Sequence, residues 1–128
     1  MKYQLDVKIV IIKNNVLGQI KWEQMVFLGN PEYVCELQPI DFATVARGFG
    51  VQSFVIDDPA SCRDLLRQAL SASGPVLVEA VVDPNEPPMP PKIELGQAAH
   101  FAESLARGTP NAGKIALTVL SDKVRELV

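Results

Sequence analysis

The sequence predicts an α/β protein built on an incomplete doubly wound parallel sheet of three strands, and three observations predict it. Three β-branched apolar runs recur along the chain: Val7-Lys8-Ile9-Val10-Ile11-Ile12, Val51-Gln52-Ser53-Phe54-Val55-Ile56 and Val76-Leu77-Val78-Glu79-Ala80-Val81-Val82. The runs are nearly continuous rather than alternating, as in strands of a parallel sheet covered on both faces. Segments carrying helix start and stop signals separate them, and this order of elements is that of a crossover fold. A free-standing domain of this type has about five or six strands. Three strands imply part of a larger domain, or a sheet completed against a partner.

Each element follows from local chemistry. The run at Val7 to Ile12 opens the sheet and leads into a polar segment, Lys13 to Gln24. Asp41 is placed to cap a helix through Phe42, Ala43, Val45 and Ala46 that ends near Gly48 and Gly50. The second strand follows, and Asp58-Pro59 then supplies an N-cap and first-turn proline for a helix reaching Leu65, Leu66, Ala69 and Leu70. Ser71-Ala72-Ser73-Gly74-Pro75 stops it before the third strand. After Asp83, the prolines at 84, 87, 88, 90 and 91 demand an extended connector. Leu95–Arg107 and Lys114–Val128 read as two helices joined through Gly108 to Gly113. Leu117, Leu120, Val124 and Leu127 form an apolar stripe on the last, opposite Thr118, Asp122, Arg125 and Glu126. The expected organisation is therefore a partial α/β domain over 1–83, a proline-rich connector over 84–94 and a helical arm over 95–128.

Composition narrows the function. Twelve Lys+Arg against fifteen Asp+Glu give a formal charge of −3, which offers no clustered cations for nucleic acid. No apolar run approaches the length needed to span a bilayer, and the first residues lack the apolar core of a signal peptide. A cytoplasmic chain is expected, with the last helix packed on protein rather than membrane. Cys35 and Cys62 lie far apart in sequence with no CxxC, so they read as small apolar residues rather than a disulfide or zinc pair. The single histidine, His100, sits among alanines on a helix away from both.

The chemistry is expected where the first strand ends. In open α/β sheets ligands bind in the crevice beyond the carboxyl ends of the strands, and there the sequence reads Lys13-Asn14-Asn15-Val16-Leu17-Gly18-Gln19-Ile20-Lys21-Trp22-Glu23-Gln24. An Asn amide oxygen and a loop carbonyl are hard oxygen donors suited to magnesium, and Gly18 permits a turn or a close backbone approach. A plain Asn-Asn turn entering a short helix reads equally well from spacing alone.

The run from Val7 to Gln24, with Pro88 to Ile93 downstream, resembles the carboxy-terminal diphosphate-binding domain of thiamine diphosphate-dependent enzymes. The nearest group is pyruvate oxidase and quinone-dependent pyruvate dehydrogenase, with acetolactate synthase as a near relative. The resemblance implies cofactor contacts from Asn14, Asn15, Val16, Leu17, Gly18, Gln19 and Ile20. Anchored on Gly18, it makes the Asn14 side chain and the Val16 carbonyl the magnesium ligands; anchored on the asparagine pair, Asn15 and Leu17 take those places. Glu23 matches a glutamate near substrate in the oxidases and is implied as the catalytic residue. Lys21 stands where related decarboxylases carry a catalytic glutamate, which favours the oxidase or dehydrogenase branch.

The departures count equally. The family's Gly-Asp-Gly motif is absent, and only 13 residues precede Asn14. The expectation is a chain beginning inside the family domain, without the amino-terminal pyrimidine-binding domain or the middle domain that holds FAD in the oxidases. Three readings stay open: a carboxy-terminal enzyme fragment, inactive alone; a small subunit completing its site with a partner chain; and a non-catalytic α/β interaction module. Self-association is expected from the open sheet edge, whereas FAD would belong to the complete enzyme and not to this chain.

Overall fold

A computed structural model of the chain describes residues 3, 5–86 and 94–126. The proline run from 87 and the Pro88–Ile93 segment of the resemblance lie outside the described residues. The elements are β1 (Lys8–Lys13), α1 (Gly18–Val26), α2 (Phe42–Gly48), β2 (Gln52–Ile56), α3 (Cys62–Ser71), β3 (Val76–Val81), α4 (Leu95–Ala106) and α5 (Ala112–Glu126). They pack into two units, one made from 1–14 and 39–82, the other from 15–38 and 83–128. Composition groups 1–83 together, but packing draws 15–38 into the unit of the two last helices, because α1 buries its apolar side against α4 and α5.

In the first unit the three strands form a parallel sheet in the order β1-β3-β2. Lys8 pairs with Val76 and Lys13 with Val81, while Gln52 to Ile56 run beside Val76 to Ala80. The expected α/β fold with a short parallel sheet is what forms. Alternation along β3 assigns its two faces. Val76 and Val78 pack with Ile56, Ala69, Leu65 and Leu66 on the α3 side. Glu79 turns to the other side, where the buried Ala43 and Ala46 of α2 lie.

Helix punctuation works as the residues dictate. Asp41 accepts from the Thr44 N–H at 2.7 Å and the Thr44 hydroxyl at 2.6 Å, capping α2. Gly50 beyond its end adopts φ +75°, which a Cβ would disfavour. Asp58 caps a 3₁₀ turn, Pro59–Ser61, that feeds α3. β1 differs from expectation: it is a strand, but Ile9, Val10 and Ile12 are 46%, 50% and 65% exposed. Among the described residues only β3 pairs with it, and Ile11 alone of its aliphatic residues is half-buried.

In the second unit Trp22, Met25, Val26 and Ile115 form a core, with Phe101 and Leu105 against it. The Trp22 and Phe101 rings tilt across 6.3 Å. Ile115 orients α5, and Leu117 and Leu120, 200° and 140° round the helix from it, are left exposed. The anticipated stripe is therefore not the inward face, since Thr118, Val119 and Asp122 share the partly buried side with Ile115; the side chains of Val124 and Leu127 lie outside the described residues. Met25 has no exposed surface, so Met25→Ala is expected to lower stability by about 3 kcal/mol in urea denaturation.

Candidate functional site

Lys13 ends β1 with its backbone and its side chain both engaged. Its carbonyl accepts the Val82 N–H at 2.9 Å, and its ammonium donates to Glu79 Oε1 at 2.7 Å. Glu79 is 3% exposed, and its other oxygen accepts the Ala43 N–H at 3.1 Å. Burial alone would raise the Glu79 pKa. The hydrogen bonds from Lys13 and the α2 backbone, with the Lys13 charge, more than offset this and hold the carboxyl below its ordinary range. Sequence reasoning passed over this pair, although a lone glutamate inside Val-Leu-Val-Glu-Ala-Val was a visible signal.

Asn14 closes the first unit and Asn15 opens the second. Asn15 takes φ +54°, a left-handed conformation that asparagine tolerates better than most residues. Beyond it the chain pairs antiparallel with the segment 35–37: Leu37 N–H donates to the Asn15 carbonyl at 2.9 Å and Leu17 N–H to the Cys35 carbonyl at 2.8 Å. These bonds flank the Val16–Glu36 bridge, so that bridge is closed by the neighbours of Val16 rather than by its own peptide groups. Leu17 precedes α1 without a side-chain cap. Of the two roles open to Gly18, the turn falls instead at Asn15, and Gly18 is the first helical residue.

On α1 the structure gathers Gln19, Ile20 and Glu23 on one exposed face. Gln19 Nε2 donates to Glu23 Oε1 at 3.3 Å, and Ile20 is 45% exposed beside them. Lys21 points inward. It is 2% exposed, pairs with Glu32 Oε2 at 2.6 Å and lies 5.6 Å from the Trp22 ring centroid. Its ammonium is thus held in the interior, away from the Glu23 face. Gln24, at the end of the motif, clamps the following loop: its Oε1 accepts the Tyr33 N–H at 2.7 Å and its Nε2 donates to the Tyr33 carbonyl at 3.2 Å. Cys35 is buried and Cys62 half-buried, both as free thiols, and His100 is exposed.

An Asn amide oxygen, as at Asn14, and a backbone carbonyl, as at Val16, are hard oxygen atoms of the type magnesium takes. Among the described residues no group of three His, Cys, Asp or Glu side chains is placed to hold a metal. No helix among them is long and apolar enough to cross a membrane.

The short parallel sheet with its flanking helices places the chain in the α/β class, and comparison with known proteins narrows it. Residues 1–80 match the family model described as thiamine pyrophosphate enzyme, C-terminal TPP binding domain. The chain belongs to that family. It is 32% identical over 127 residues to YdaP of Bacillus subtilis (strain 168), a protein assigned by name to the thiamine pyrophosphate-containing proteins, covering 99% of this chain and 22% of that protein. It is 31% identical over 103 residues to the chloroplastic acetolactate synthase 1 of Oryza sativa subsp. japonica, covering 73% of this chain and 16% of that one. Against the acetolactate synthase isozyme 1 large subunit of Escherichia coli (strain K12) the identity is 29% over 92 residues, covering 69% and 16%. The chain thus spans about a fifth of the length of these relatives or less.

Two measurements check the electrostatics. Removing one member of a buried ion pair strands the other, so Lys21→Met is expected to lower stability by about 3–5 kcal/mol, and Lys21→Met with Glu32→Leu to recover most of it. Glu79 titrates below its ordinary 4.5 in the folded chain. Its contribution is therefore present above pH 4.5 and lost as pH falls through the lowered folded value. Urea denaturation at stepped pH should show this loss in the parent and a flatter acid limb in Glu79→Gln.

Proposed function

We propose that this chain is the carboxy-terminal part of a thiamine diphosphate- and magnesium-dependent enzyme acting on pyruvate or a related 2-oxo acid, with decarboxylation followed by oxidation or carboligation. The observation that carries this reading is the family match over residues 1–80, with the asparagine turn at the carboxyl end of β1. The acetolactate synthase relatives support a 2-oxo acid substrate and carboligation.

Asn14 and the Val16 carbonyl are the proposed magnesium ligands, two of the roughly six oxygens such an ion takes. Asn15, with its left-handed backbone, serves the turn. Leu17, Gly18, Gln19 and Ile20 are the proposed cofactor contacts, and Glu23, oriented by Gln19, is the proposed catalytic group toward substrate. When bound, the cofactor supplies the electron sink that 2-oxo acid cleavage needs. The protein's share is to hold the diphosphate through the ion and to present Ile20 as an apolar surface that excludes water.

Two ligands without a carboxylate hold magnesium weakly, so the isolated chain is proposed to be inactive. A pyrimidine-binding domain and an FAD-type middle domain, in the same polypeptide or a separate subunit, would complete the enzyme, and any FAD would sit there. The exposed faces of β1 support completion by further protein and self-association of the chain alone. Two free thiols suit the cytoplasm. Those same uncovered faces favour a second reading, a small subunit or non-catalytic interaction module that docks through the sheet.

Titration calorimetry of magnesium thiamine diphosphate into the purified chain is the direct test. Affinity no tighter than about millimolar, abolished by Asn14→Ala, and no turnover of pyruvate are expected. Turnover by the isolated chain would overturn its proposed inactivity, and binding indifferent to Asn14→Ala would overturn the ligand assignment.

A further inference from the structure

Glu79 is the one charged residue in the central strand, and burying a carboxylate there is costly even when it is paired. A well-packed apolar pair in place of a buried ion pair is often as stable or more so. A role beyond stability is therefore worth seeking, and the strand sequences supply one. Lys-Ile-Val-Ile-Ile-Lys in β1 and Val-Leu-Val-Glu-Ala-Val in β3 are apolar on both faces. Facing preferences guard a strand against a one-residue slip, which moves every side chain to the other face, but not against a slip of two residues. Along Ile9 to Ile12 a slip of two residues against β3 would place one aliphatic side chain where another had been. Such a slip would displace the strand end by about 6.6 Å.

The lysines at the two ends of β1 remove that ambiguity. At the amino end Lys8 Nζ donates to the Ala72 and Gly74 carbonyls at 2.7 and 2.8 Å. At the carboxyl end Lys13 Nζ donates to Glu79 at 2.7 Å, whose second oxygen is committed to Ala43 of α2 at 3.1 Å. Lysines that on an open edge strand commonly face outward against further pairing are here turned inward as locating pins. We propose that Lys13 and Glu79 are positioning residues: their ion pair locks the register of β1 on β3 and thereby sets where Asn14, the next residue, emerges from the sheet. The significance of that placement rests on the reading of Asn14 as a magnesium ligand; the lock itself does not.

The test is nuclear magnetic resonance of the full chain carrying Lys13→Met with Glu79→Leu. Thermal stability is expected to match the parent, because an apolar pair replaces a buried ionic one. The Asn14 backbone and side-chain amide signals are nonetheless expected to split into more than one set, whereas a shift of a single set is what the neighbouring substitution alone produces. The Val82 amide, which donates to the Lys13 carbonyl, is expected to exchange about tenfold faster, with Val78 as internal reference. Lys13→Arg, which keeps the charge, should retain one set of Asn14 signals. A single set of Asn14 signals with unchanged Val82 protection in the double variant would show that the pair only packs, and would overturn the proposal. Should the double variant fail to fold, Glu79→Gln, which keeps the size and an acceptor for Ala43, is read by the same two signals with the same two outcomes. Neither signal involves the cofactor, so absent magnesium thiamine diphosphate binding would overturn the ligand assignment and leave the register lock standing.

Discussion

The first unit is organised around a single buried strand that meets different demands on its two faces. β3 lies between β1 and β2, and its α3 side is closed by aliphatic packing of Val76 and Val78 against Ile56, Leu65, Leu66 and Ala69. Its α2 side carries Glu79, whose two oxygens reach Lys13 of β1 and the amino end of α2. Apolar contact is non-directional and holds the layers together; the charge-assisted bonds are directional and locate the pieces. The carboxyl end of β1, the start of α2 and the strand between them are thus referenced to one carboxylate.

β1 shows what remains when a strand written for burial has cover missing. Ile9, Val10 and Ile12 have the character of an interior parallel strand, yet each is about half exposed or more. An apolar strand with this much open surface is the exception in a parallel sheet, and the chain spans about a fifth or less of the length of its relatives. Leu117 and Leu120 on α5 stand out in the same way, since Ile115 has already taken the inward position.

The segment after β1 separates two kinds of residue that the sequence presents as one motif. Asn15, Lys21 and Gln24 serve the architecture: a left-handed turn, a buried ion pair beneath Trp22 and a clamp on Tyr33. Gln19, Ile20 and Glu23 are exposed on α1, roughly opposite Lys21. Lys21, which the resemblance reads as a mark of reaction type, is buried and paired with Glu32 in the second unit, while Glu23 is exposed.

Much of this was legible from the residues. The three β-branched runs, the Asp41 and Asp58 caps and the asparagine pair at a strand end identify strands, helices and family, because each signal is local and short-range physics decides it. The sequence alone determined the fold class and the family. The sheet order, the inward turn of Lys8 and Lys13, the Lys21–Glu32 pair and the grouping of α1 with α4 and α5 were decided only in the tertiary structure. Those features depend on residues far apart in the chain, as in the pairing of Lys13 with Glu79. Periodicity tells which side of an element is apolar, but not which distant element will meet it.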